Sequence, residues 1–80
     1  MDGLDNIEIR ILKSISNRRY HSRSEIHSWV IDDLPSIALL QNKLDIMDIL
    51  GLIKFETGRG YIRTSEGTFQ TKLHEETIMF

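Results

Sequence analysis

The chemistry this sequence offers rests mostly on cations and amides. Arg18, Arg19 and Arg23 crowd one short stretch, and Lys54, Arg59 and Arg63 crowd another. Guanidinium and ammonium groups of this kind pair with phosphate oxygens. Between the two basic stretches lie Gln41 and Asn42. Each of their amides presents a donor and an acceptor, the pair that can read an adenine edge bidentately. Catalytic chemistry has little to build on. His21, His27 and His74 are dispersed, with no His-x-x-x-His or Glu-x-x-His spacing to gather metal ligands, so no metal site is expected. Gly58-Arg59-Gly60 lacks the further glycine and following helix of a dinucleotide site. Asp32-Asp33 and Glu75-Glu76 read as solvated charges, and Trp29 and Tyr61 as packing. The chain is therefore read as a non-enzyme without cofactor or small-molecule ligand.

The positioning elements follow from periodicity. Ile37, Leu40, Leu44, Met47 and Leu50 recur at three- and four-residue steps, which predicts one apolar face of a helix over Ser36 to Leu50. Gly51 follows as its terminator. The residues left facing outward are Ser36, Ala38, Leu39, Gln41, Asn42, Lys43 and Asp45. Upstream, Asp5 and Glu8 have capping-box spacing, and Leu4, Ile7, Ile11, Leu12 and Ile15 predict a first helix to about Ser16. Asn17 to His21 breaks the pattern. Ser22 and Glu25 repeat the capping-box spacing, opening a short helix through about Ile31 with Ile26, Trp29 and Val30 inward. Asp32-Asp33-Leu34-Pro35 is a turn, its proline compatible with the first turn of the next helix. Leu52 to Glu56 and Tyr61 to Arg63 read as strands around the turn Thr57-Gly58-Arg59-Gly60. Thr64 is the expected N-cap of a fourth helix, on which Phe69 and Leu73 share a face.

Eighty residues, 40% hydrophobic and 28% charged, make one small soluble domain over residues 1–80. No apolar run nears the roughly 20 residues that span a bilayer. The acidic, periodic N-terminus is no targeting peptide, and cysteine is absent, so a cytoplasmic protein is expected. The net charge of −2 contrasts with the basic character usual in nucleic-acid binders.

Helix, helix, helix, two-stranded wing, helix is mainly α with a small β element (α+β). Leu44, Met47 and the exit Leu50-Gly51-Leu52-Ile53, with Tyr61-Ile62-Arg63-Thr64-Ser65-Glu66-Gly67 after the wing, resemble small archaeal and bacterial winged helix-turn-helix transcriptional regulators. The resemblance runs from about Ile7 to Leu73. It implies a third helix in the major groove of double-stranded DNA, reading bases through Ser36, Ala38, Leu39, Gln41, Asn42 and Lys43. It also implies a wing on the backbone or minor groove, with phosphate contacts from Arg18, Arg19, Arg23, Lys54, Arg59 and Arg63. The chain departs from the pattern in having Asp32-Asp33 where a glycine is common, and acids in the third helix where cations are common. Those acids, or the apolar tail, suit a second reading, a winged-helix interaction module holding another protein. Ile9, off the first helix's stripe, and Ile78, Met79 and Phe80 have no evident place inside one subunit. They suggest a homodimer contact, which would set two third helices about 34–36 Å apart.

Overall fold

The computed structural model describes residues 4–78, and side chains over 4–73. Its elements run α1 (Asn6–Ser14), α2 (Arg23–Val30), α3 (Ile37–Ile49), β1 (Ile53–Glu56), β2 (Gly60–Arg63) and α4 (Ser65–Ile78). That order, with β1 and β2 antiparallel, is a mixed α+β arrangement consistent with a winged-helix layout.

Local chemistry sets most boundaries. At α1 both arms of the capping box form: Glu8 N–H donates to Asp5 Oδ1 (2.8 Å), and Asp5 N–H donates to Glu8 Oε1 (2.9 Å). The helix stops at Ser14, two residues short of the predicted end, because Ile15 turns extended (ψ 127°). At α2 only half of the predicted box forms. Ser22 Oγ accepts from Glu25 N–H (3.1 Å), but the Glu25 carboxylate goes to Arg19 and His21 instead of the Ser22 backbone. Pro35 precedes the α3 N-cap, Ser36, and so sits just outside the helix rather than in its first turn.

Gly51 ends α3 with φ +79°. Leu52 N–H donates to Met47 C=O (2.9 Å) and Gly51 N–H to Asp48 C=O (3.0 Å), the paired bonds of a Schellman turn. The chain thereby reverses directly into β1. The wing pairs Ile53 with Arg63 and Glu56 with Gly60. A bridge between His21 and Tyr61 stitches the α1–α2 loop onto the same hairpin. Thr64 caps α4 by accepting from Gly67 N–H (3.1 Å), while its hydroxyl donates to Gly51 C=O (2.5 Å).

One core joins these elements: Ile11, Leu12 and Ile15 of the first helical segment, Ile26 and Val30 of α2, Leu40, Leu44 and Met47 of α3, and Leu52, Ile53 and Tyr61 of the wing. Trp29 packs against it only partly buried. Ile37 and Leu50, expected inside, are exposed. The buried line of α3 runs through Leu40, Leu44 and Met47, and both outer residues lie to its sides. On α4, Phe69 and Leu73 do share a face, but that face is exposed; Gly67 and Thr71 are the buried positions.

Candidate interface on the third helix and wing

The expected base-reading residues separate in space. Ser36 spends its hydroxyl on Leu39 N–H (3.3 Å). Ala38, Leu39 and Asn42 are exposed. Gln41 is engaged within the domain. Its Oε1 accepts from Arg23 Nη1 (2.9 Å), and its Nε2 donates to Asp45 Oδ1 (2.8 Å) and Tyr61 Oη (3.0 Å). Lys43 leaves the outward face altogether. Its Nζ reaches back across α1, 2.5 Å from Asp5 Oδ2 and 3.8 Å from Glu8 Oε2. Burial pushes the Asp5 carboxyl up, but the hydrogen bonds from Lys43 and Glu8 N–H and the Lys43 charge outweigh it and hold it below its ordinary value. The hydrogen bond to Asp5, with the Glu8 and Asp5 carboxylate charges, outweighs burial and holds the Lys43 ammonium above its ordinary value.

The basic residues are equally divided. Arg63 is a structural clamp rather than a surface cation: its Nε donates to Thr68 Oγ1 (3.1 Å) and its Nη1 to the Leu12 and Lys13 carbonyls (3.1 and 3.4 Å). A cation at the C-terminal end of α1 is favoured there by the exposed carbonyl dipoles. Arg63→Ala is expected to cost about 1.5–3 kcal/mol, since the part-buried Leu12 carbonyl and the Thr68 hydroxyl lose a charged donor. Lysine at this position should recover only part of that, lacking the forked donors. The midpoints of urea unfolding for the two variants measure this, and an unchanged midpoint for alanine would refute the clamp. Arg23 is tied to Gln41.

The remaining cations gather around the wing. Arg19 pairs with Glu25 (3.2 Å) and Lys54 with Glu56 (3.6 Å), both on the surface. Arg59 at the wing tip lies over the Tyr20 ring, 5.5 Å from its centroid, and Tyr20 Oη donates to Glu56. The loop holding Arg18 and Arg19 is thus brought against the wing tip. His21, buried in that loop, is fixed as one tautomer. Ser16 N–H donates to its Nε2 (3.1 Å), so the proton sits on Nδ1 and is donated to Glu25 Oε2 (2.9 Å). That bond from His21, with Arg19 nearby, holds the Glu25 carboxyl below its ordinary value.

What α3 presents outward is apolar and acidic. Leu39 (52% exposed), Ile46 (49%) and Ile49 (84%) stand on this surface with Asn42, Asp45 and Asp48. Periodicity could have shown Ile46 and Ile49, since neither fits the buried line. Beside them, α2, α3 and both wing strands border an open groove of about 440 Å³, lined by Arg23, Ser24, Gln41, Asp45, Asp48, Phe55 and Tyr61. Phe55, overlooked in the sequence because it reads as an ordinary strand residue, is exposed and tilted against Tyr61 at 4.9 Å between ring centres.

Ile9, one of the expected dimer residues, is half-buried on α1. The Ile78 side chain, Met79 and Phe80 lie outside the described residues. Among the described residues no group of three or more His, Asp and Glu could hold a metal ion, and no helix is long and apolar enough to cross a membrane. No family model, curated protein or solved structure matches this chain.

Proposed function

We propose that this winged-helix domain is a protein-interaction module, which holds a basic amphipathic segment of another protein against the outward face of α3. The observation that carries the reading is the makeup of that face: Leu39, Ile46 and Ile49 exposed beside Asp45 and Asp48, with Lys43 drawn away to α1. A helix entering the major groove runs between phosphates, where two carboxylates are repelled and exposed isoleucines gain little. A partner with its own apolar stripe covers the isoleucines, and its flanking cations meet the aspartates.

DNA binding, the activity implied by the resemblance, is the second reading, and one observation favours it. Arg59 lies over Tyr20, which directly follows the exposed Arg18 and Arg19 in the chain, a basic spot that suits a phosphate backbone. One pair of experiments separates the two. Peptides selected from a random library on the immobilised domain should combine apolar residues with Arg or Lys. They should bind the Ile46→Glu/Ile49→Glu variant at least about tenfold more weakly, as expected when buried apolar anchors are lost. Both side chains are exposed, so the variant should remain folded. A random-sequence duplex that binds with a steep salt dependence, flattened by Arg18→Ala and Arg59→Ala, would overturn the proposal in favour of DNA.

A further inference from the structure

We infer that the groove between α3 and the wing is a receptor for an arginine side chain, the anchor by which the partner segment is recognised. For the claim that the arginine belongs to a protein, the inference rests on the function proposed above; the groove's own chemistry stands apart from it.

The groove combines three properties that suit a guanidinium. Its floor is aromatic, with Phe55 and Tyr61 in tilted contact (49° between planes) and Phe55 open to solvent. A planar cation gains from stacking on such rings. Its α3 wall carries Asp45 and Asp48, three residues apart and so neighbours on one helix face. Asp45 already uses Oδ1 to accept from Gln41, which holds that carboxylate at the groove wall. The Asp48 side chain has no hydrogen bond or ion pair among the described residues. The groove's own cation, Arg23, is bound to Gln41 and so leaves Asp48 unserved. Two carboxylates against one guanidinium give the lining a net charge of −1, which favours a cationic guest at the Asp48 and Phe55 end. At about 440 Å³ and open on one side, the space suits one long side chain delivered from outside. Lysine is the poorer fit, because its ammonium has no plane to stack and no fork to reach two carboxylates.

The test uses Nα-acetyl-arginine amide, with the neutral isostere Nα-acetyl-citrulline amide as control, titrated into the isotopically labelled 80-residue chain and followed by NMR. The arginine compound should give saturable shifts at Asp45, Asp48, Phe55 and Tyr61, with a midpoint on the order of millimolar for a ligand of this size. Citrulline should give none. Asp48→Asn and Phe55→Ala should each raise the midpoint several-fold, and both residues are exposed, so dispersed spectra should persist. Equal shifts from both compounds, or an unchanged midpoint in Asp48→Asn, would overturn the inference. The Ile46→Glu/Ile49→Glu variant should keep the arginine shifts. Loss of peptide binding with those shifts intact therefore concerns the isoleucine face, whereas peptides that bind without arginine shifts count against the groove alone. Shifts confined to Arg18, Arg19 and Arg59 on adding duplex DNA would mark the second reading.

Discussion

Gly60→Ala is expected to destabilise the domain by about 2–5 kcal/mol, backbone strain and overpacking acting together. Gly60 opens β2 at φ +109°, a conformation that residues with a Cβ avoid. A Cβ at this position would also overlap the His21 carbonyl group, well inside 3.0 Å. That carbonyl cannot move cheaply. It accepts from Tyr61 N–H (2.8 Å) while His21 N–H donates to Tyr61 C=O (2.8 Å), and the His21 ring is held from both nitrogens. Relief at Gly60 therefore unstitches the α1–α2 loop from the wing. Gly58→Ala is the internal control: φ is +82°, but a Cβ there meets nothing within 4 Å, so only backbone strain, about 1 kcal/mol, should be incurred. Denaturant midpoints for the two variants check the difference. A Gly60→Ala protein as stable as Gly58→Ala would mean that the loop and wing are not locked together.

Leu44→Ala should cost a similar amount, about 2–5 kcal/mol, by leaving a cavity in a site that cannot collapse. Leu44 is fully buried at the middle of α3, in the same cluster as Ile11, Leu12, Ile26 and Ile53. Rigid elements surround it on several sides, so relaxation into the void is limited. In a domain of this size such a loss is a large fraction of a total that is commonly 5–15 kcal/mol, and the variant should unfold at much lower denaturant. Ile49→Ala, on the same helix but 84% exposed, should leave the midpoint nearly unchanged. If both substitutions cost the same, α3 is not oriented as described, and the apolar face proposed for a partner would be part of the core.

The contrast between Leu44 and Ile49 also shows where sequence reading loses resolution. Periodicity places Leu40, Leu44 and Met47 on one face of α3, and all three are buried. It extends that stripe equally to Ile37 and Leu50, which are exposed, because a helical wheel does not say how wide a face the neighbouring elements cover. Phe69 and Leu73 repeat the lesson on α4. Spacing puts them together, yet Gly67 takes the inward position because it lets the helix lie close against the Leu52 carbonyl.

The candidate site was legible only where interactions are local. Asp45 and Asn42 follow from the turn of α3, and exposure of the wing-tip Arg59 follows from the hairpin. Gln41, Lys43 and Arg63 could not be placed in this way, since each long side chain has a choice of partners within reach. Arg23 and Tyr61 take Gln41, α1 takes Lys43, and the Leu12 and Lys13 carbonyls take Arg63.

By itself the sequence determined the element order, the Asp5–Glu8 box, the Ser22 and Thr64 caps, the Gly51 reversal and the three-residue heart of α3. All of these depend on contacts within a few residues, where backbone geometry leaves few alternatives. The tertiary structure alone decided which cations remain on the surface, that the two basic loops meet over Tyr20, and that α3 turns an apolar and acidic face outward. Those outcomes rest on residues about 20 to 50 positions apart, such as Arg23 with Gln41 and Arg63 with Leu12. Packing of the whole domain sets such distances, and no local pattern encodes them.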